Sequence, residues 1–296
     1  MFWVVALSAH VLLSGYRVIA TRKIGLDKND ASLDTMVMSF FCVWILGVLY
    51  SLVSREQVEI DFSKETTFFI FIGGFLFGIA QLLTLKLFRL VAASVAVFLT
   101  LLNNIAVVAL ATVFGAENLT NVQILGIGLM VISIGLAEYV AYKSKKKKKQ
   151  NVSLAISTSM LITVTLSIIF ALAVMNEKHL LQEMPVTSYL IFGWGSQFFA
   201  AIVLYILLGG FRSKHLYKRE TIKYMVASAV LLAVSGLFFV LLLNHTNSSS
   251  VTTVASSLKI IVAMVLSYVV LNERTDPLIK ITSTLISSIG LLLLIR

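Results

Sequence analysis

Residues Leu85–Glu117, LKLFRLVAASVAVFLTLLNNIAVVALATVFGAE, and Leu241–Glu273, LLLNHTNSSSVTTVASSLKIIVAMVLSYVVLNE, read as copies of one another, and this reading decides the fold. Glu273 minus Glu117 is a shift of 156 residues. At that shift Ser94 meets Ser250, Val95 meets Val251, Leu102 meets Leu258, Ile105 meets Ile261 and Val113 meets Val269. Apolar matches are cheap in a chain this rich in leucine and valine. The serine and glutamate matches fall at equivalent ends of equivalent apolar runs, and they carry the alignment. The second copy also holds Lys259 in the middle of its run, where a charge at bilayer depth costs several kcal/mol and marks a functional site by default.

Working outward, composition settles the solvent. The chain is 58% hydrophobic and 13% charged, with a mean hydropathy of +0.95, whereas soluble domains are roughly 45–50% apolar. A membrane-crossing helix needs about 20 apolar residues. Such runs recur near 2–21, 34–54, 67–88, 91–114, 121–142, 153–175, 187–210, 222–243, 250–271 and 278–295. The expected fold is therefore all-α: a polytopic integral membrane protein of ten transmembrane helices, because continuous runs of this length satisfy their backbone as helices and not as barrel strands. The first run lacks a basic segment before its apolar core, so it reads as a span and not as a cleaved signal. The copies divide the chain into a first five-helix repeat (1–142), a Lys-rich linker (143–152) and a second five-helix repeat (153–296). Five is odd, so the repeats are inverted, and inverted repeats place a substrate site near the midplane at their interface.

Charge placement excludes nucleic acid despite a net charge of +10. Lys143 and Lys145–Lys149 fall between the fifth and sixth runs, and Arg212, Lys214, Lys218, Arg219 and Lys223 between the seventh and eighth. These are loops beside the membrane, where basic residues set topology and meet anionic lipid headgroups. The loops after odd-numbered runs also hold Arg22, Lys23, Lys28, Lys86, Arg89 and Arg274, against Arg55, Lys64, Lys178 and Arg296 on the other side. The positive-inside rule makes the first set, including loops 143–152 and 212–223, cytoplasmic and both termini external. A cell (plasma or inner) membrane is the expected location. The single cysteine, Cys42, excludes an intrachain disulfide and a cysteine-rich metal site.

The two opening segments, extended to Thr120 and Asp276, resemble helix junctions of the drug/metabolite transporter superfamily in its EamA-like ten-helix branch. In that pattern a small-residue turn opens a helix that closes on a Gly-Glu-Arg turn. Glu117, Glu273 and Arg274 match; Ala116 and Asn272 stand in place of the glycine, and Asn118 in place of the arginine. The resemblance implies a secondary transporter with a central cavity, and it implies cytoplasmic termini, opposite to the charge bias. The lysine also resembles the ninth-helix basic residue that faces phosphate in sugar-phosphate and nucleotide-sugar transporters. Only Lys259 matches there, since Ile260 follows it.

On the ninth run Thr252, Ser256, Lys259, Ala263 and Ser267 form one small, polar stripe at helical spacing. Shifted by 156 it becomes Ala96, Thr100, Asn103, Val107 and Ala111. The substrate-binding candidates are Lys259, Asn103, Ser256 and Thr100 from these stripes, then His10 and Ser14 on the first run, Gln81 on the third, and Trp194 and Gln197 on the seventh. Lys259 is expected to bind an anionic group or to couple protons, against the plain alternative of a paired or snorkelling lysine. Arg17 is expected to snorkel to the interface, Glu138 to anchor beside the Lys-rich loop, and Gly74 and Gly78 to permit close helix contact. Tyr16, Trp44 and Tyr205 are expected to pack between helices or sit in the headgroup belt. No run carries an acidic residue near its centre, whereas the resemblance implies that cationic-drug exporters of the same superfamily depend on a membrane-embedded glutamate; export of cationic drugs is therefore disfavoured.

No phosphate-binding loop, paired catalytic carboxylates or zinc-ligand spacing is present. The expectation is a non-enzymatic secondary transporter of a small polar, anionic or zwitterionic metabolite such as an amino acid, without cofactor or metal, as a monomer or homodimer. A sugar-phosphate or nucleotide-sugar antiporter is the alternative within the class. An intramembrane enzyme or a non-transporting receptor is the alternative outside it.

Overall fold

In hydrocarbon a backbone amide has no water to bond, so long apolar runs close their own helical ladders. The computed structural model describes residues 2–27, 29–54, 56–59, 62–114, 120–147, 152–210, 217–246, 248–273 and 276–295. Among them are α1 (Phe2–Gly25), α2 (Ser32–Ser54), α3 (Lys64–Leu90), α4 (Ala93–Leu99), α5 (Leu102–Val113), α6 (Asn121–Lys147), α7 (Val152–Glu183), α8 (Val186–Ser188), a π-helical segment (Tyr189–Gly193), α9 (Trp194–Leu207), α10 (Arg219–Thr246), α11 (Ser249–Ser256), α12 (Lys259–Val270) and α13 (Pro277–Ile295). The protein is an all-α polytopic membrane protein. Nine of the ten expected spans are helical stretches of at least 18 residues among the described residues; the fifth is represented by a shorter apolar helix, Asn121–Ala137, within α6. Large apolar side chains such as Val4, Phe71, Leu125 and Val269 project outward, as lipid requires.

Helix packing has a simple pattern. The helix α1 packs on α10 as α7 packs on α3; α2 packs on α10 as α9 packs on α3; and α1 packs on α12 as α7 packs on α5. The pairs α6 with α13 and α2 with α9 link equivalent helices. Exchanging the first five spans for the last five leaves these pairings unchanged. Small residues set the approach distances. A Cβ on Gly74 would lie 2.6 Å from the backbone oxygen of Ser196, and one on Gly126 would lie 2.7 Å from that of Gly290, so α3 meets α9 and α6 meets α13 backbone to backbone.

The fourth and ninth spans are each broken once, at equivalent places. Leu101 N–H bonds Phe98 O at 3.0 Å and Asn104 N–H bonds Leu101 O at 3.0 Å; Ser257 N–H bonds Val254 O at 3.0 Å and Ile260 N–H bonds Ser257 O at 2.9 Å. These are one-turn tightenings to 3₁₀ spacing, a feature often found at functional hinges. Neither break contains proline or glycine. Hydroxyls that bond back to the preceding turn bend helices; Thr100 Oγ1 donates to Val97 O at 2.7 Å, and Ser257 Oγ, 3.0 Å from Thr253 O, shares its one proton between that carbonyl and Asn104 Oδ1.

One end of the bundle is tied by charge. The Glu273 carboxylate accepts from Ala93 N–H at 2.9 Å, Ser94 N–H at 3.1 Å and Ser94 Oγ at 2.9 Å, satisfying orphan donors at the start of α4. Arg22 lies 3.7 Å from the same carboxylate and donates to Phe88 O at 2.6 Å. Arg89 pairs with Asp30 at 2.7 Å. Burial pushes the Asp30 carboxyl up, but hydrogen bonds from Ser32 and the Arg89 guanidinium outweigh it and hold this group below the usual carboxylate range. Lys280 donates to Glu273 O at 2.9 Å. Asn272, at the position of the expected glycine, has φ 53°; asparagine tolerates the left-handed cap that glycine otherwise supplies. Ala116, Glu117, Asn118 and Arg274 lie outside the described residues, as do Lys28, Arg55, Lys148, Lys149, Arg212, Lys214 and Arg296 and the side chain of Glu138.

Removing a helix-capping acceptor costs about 0.5–2 kcal/mol. Glu273→Ala is expected to lower the thermal midpoint in detergent, and Ser94→Ala to lower it less, since only one of three bonds is lost. Scanning fluorimetry reads both, and an unchanged midpoint in Glu273→Ala would remove this carboxylate from the stabilising set.

Candidate functional site

A cavity of about 220 Å³, lined from α1, α2, α3, α7, α9 and α10, adjoins the tightened turns of the two broken spans. Lys259, Asn103, Ser256, Thr100, His10, Ser14, Gln81, Trp194 and Gln197 all line it. The sequence placed these residues on five different spans, and the fold brings them to one space. Phe77, Phe170 and Phe239 supply apolar wall between them.

Lys259 opens α12 immediately after the break. No hydrogen bond or ion pair to it occurs among the described residues, so its ammonium has only the cavity to meet. Asn103, its counterpart at the shift of 156, is committed differently: Asn103 Oδ1 accepts from Ser167 Oγ at 2.8 Å. Its neighbour Asn104 accepts from Ser257 Oγ at 2.9 Å, joining the two breaks across the bundle. The His10 ring donates from Nδ1 to Ser235 O at 2.7 Å, and Ser14 Oγ lies 3.4 Å from Nε2. The backbone carbonyl can only accept, so Nδ1 carries the proton.

Arg17 does not snorkel. Its guanidinium donates from Nη2 to Gln81 Oε1 at 2.6 Å, its Nε is buried, and it lines the cavity close enough to Lys259 for the two like charges to interact. The reason is positional: Arg17 shares the inward face of α1 with His10 and Ser14, and Gln81 receives it there. Its contact with Gln81 fixes that amide with nitrogen toward the remaining space. Among the described residues three buried nitrogen donors that line the cavity have no partner: Arg17 Nε, Gln81 Nε2 and Asn104 Nδ2. Unpaired donors of this kind cost about 1–3 kcal/mol each and call for an acceptor.

A second cavity-lining charged side chain escaped the sequence reading. The sixth span, expected to end at 175, continues as α7 to Glu183 and so brings Glu177 inside the bundle. Glu177 is 3% exposed and lines the same cavity. The Tyr189 hydroxyl donates to its Oε1 at 2.7 Å, and Gln197 Nε2 approaches that hydroxyl at 3.5 Å. The signal was available in Tyr189, Trp194 and Gln197, but the π-helical segment Tyr189–Gly193 that orients them has no sequence signature.

Of the aromatic candidates only Trp194, 2% exposed, lines the cavity. Trp44 stacks on Phe198 with centroids 5.7 Å apart, Tyr16 is 53% exposed on the outer face, and Tyr205 donates to Asp34. Among the described residues no cluster of three or more His, Cys, Asp or Glu side chains could hold a metal.

Residues 1–139 match the EamA-like transporter family. No curated protein matches the sequence. One solved crystal structure superposes with a TM-score of 0.69, covering 99% of this chain and 98% of its own, at 13% identity. That identity speaks to fold alone, and it does so over the full length. The first 139 residues, just under half of the chain, are thus similar to the EamA-like transporter family, and the fold is shared over the full length with a solved structure.

Proposed function

We propose that this protein is a secondary transporter of a small polar metabolite, anionic or zwitterionic, with an amino acid as the ordinary case. The observation that carries the proposal is the set of unpaired nitrogen donors around the cavity. Lys259 is without a protein counter-ion among the described residues, and Arg17 Nε, Gln81 Nε2 and Asn104 Nδ2 are unpaired around the same space. A carboxylate supplies what all four lack. The apolar wall formed by Phe77, Phe170, Phe239 and Trp194 suits the remainder of such a molecule.

Transport follows from two inverted five-helix halves rocking about this site. The pairings that survive exchange of the halves and the equivalent breaks in the fourth and ninth spans support this reading. On the positive-inside rule the end holding Arg22, Lys23, Lys86, Arg89 and Lys218 is cytoplasmic. That end is closed by the Glu273 tie, which must part for the cavity to open there.

A second reading draws on Arg17. The sequence offered Lys259 no basic neighbour, yet the fold supplies one from α1. Two cations facing one cavity also suit a phosphate ester, as in a sugar-phosphate or nucleotide-sugar antiporter.

Counterflow in proteoliposomes with L-glutamate, L-phenylalanine and glucose 6-phosphate separates these readings. At least one probe is expected to exchange, and Lys259→Gln and Lys259→Ala are expected to cut that exchange about tenfold or more, matching the loss of one charge-assisted hydrogen bond, with near-normal expression. Full exchange by both variants would move the lysine to a structural role, and turnover of a lipid-linked substrate without any flux would end the transporter reading.

The orientation of Lys259 is tested separately in a Cys42→Ser background. A membrane-impermeant thiol reagent should label Lys259→Cys but not Val265→Cys, since Val265 is 58% exposed on the lipid-facing side of α12. Equal labelling of the two positions would contradict a water-filled cavity at Lys259.

A further inference from the structure

The cavity has a second pole of opposite charge that the substrate reading does not use. Glu177 is a carboxylate 3% exposed, with one hydrogen bond, from Tyr189, and no ion pair among the described residues. An ionised carboxylate in a low-dielectric interior must gain a cation, further donors or a proton. The helices packed on α7 are α3, α5, α6, α10 and α11, and none of their described side chains brings a charge to Glu177. The titratable group in contact with it is Tyr189. Arg17, Lys259 and His10 face the same cavity from α1 and α12 but make no contact with this carboxylate.

The backbone around Tyr189 is also irregular. Tyr189 opens the π-helical segment, and a Cβ on Gly193 would lie 2.5 Å from Cε2 of its ring, so the glycine makes room for the ring to lie across that turn. Single π turns inside α-helical spans concentrate at functional sites. Here the irregular turn sets the hydroxyl against the carboxylate, and the carboxylate lines the cavity.

We propose that Glu177 is the proton-binding site of the transport cycle, so that the protein couples an anionic or zwitterionic substrate to protons as a symporter. The inference rests on the transporter reading above and adds the coupling ion and its sign. Carboxylate plus proton gives carboxylic acid, one proton per cycle, with no other bond made or broken. A proton fits where a metal ion does not: calcium takes 6–8 oxygen ligands, and Glu177, Tyr189 and Gln197 offer too few. The sign follows from charge. A proton on Glu177 raises the positive charge of the cavity by one and strengthens its hold on an anion at Lys259, and by reciprocity the anion strengthens proton binding. Ligands that reinforce one another travel together.

Two measurements test this. Infrared difference spectra of the purified protein between acid and alkaline buffer should contain a protonated-carboxyl band that is lost in Glu177→Gln and retained in Glu273→Gln; Tyr189→Phe should move the midpoint of that band without abolishing it. In proteoliposomes, an inward proton gradient should accelerate uptake of whichever of L-glutamate, L-phenylalanine and glucose 6-phosphate the wild type exchanges. In Glu177→Gln the ratio of uptake with the gradient to uptake without it should fall to about one, whatever rate of exchange remains. A band unaltered in Glu177→Gln, or an acceleration that survives the substitution, overturns the proposal while leaving the transporter reading intact. Absence of any exchange by the wild type strikes the transporter reading instead, and the band alone then decides whether Glu177 binds protons.

Discussion

The cost of holding cations away from water governs this structure. Lys259 and Arg17 face one cavity, and the bundle around them is arranged so that neither is buried against hydrocarbon. Arg17 is met by Gln81, whose own amide is thereby fixed. Lys259 is met by nothing from the protein among the described residues. A fold that excluded water and ligand at this point would strand a charge at several kcal/mol, so the cavity and the lysine require one another.

The scaffold that encloses them is nearly symmetric, while its lining is not. Equivalent helices pair with themselves or exchange partners across the two halves, and both fourth and ninth spans tighten at the same turn. Yet Asn103 spends its carbonyl on Ser167, whereas Lys259 at the matching place remains open. Glu177 adds a negative pole on α7, and its counterpart at the shift of 156 is the neutral Thr21. Symmetry describes the scaffold, whereas the lining differs chemically between its halves.

The same division explains what was legible beforehand. Spans, the copies, the polar stripe through Lys259 and all nine cavity candidates could be read from apolar run length and helical spacing, because lipid forces helices and a helix fixes which residues share a face. Arg17 and Glu177 could not. Snorkelling is open to any arginine two turns from a helix end, and only the position of Gln81 on a neighbouring helix turns Arg17 inward. Glu177 fell beyond the last apolar residue of its run, and run length does not reveal that α7 continues for two more turns. The helix breaks were equally hidden, since neither holds proline or glycine.

Sequence by itself determined the solvent, the helices and the face each helix turns inward, since these follow from hydropathy and a local period. Tertiary structure alone decided which charges share a space, which amides are already satisfied, and that Lys259 acquires Arg17 as a neighbour and Glu177 as an opposite pole. The physical reason is range: helix formation is settled within a few residues along the chain, whereas the partner of a buried polar group lies on another helix, as Gln81 lies 64 residues from Arg17.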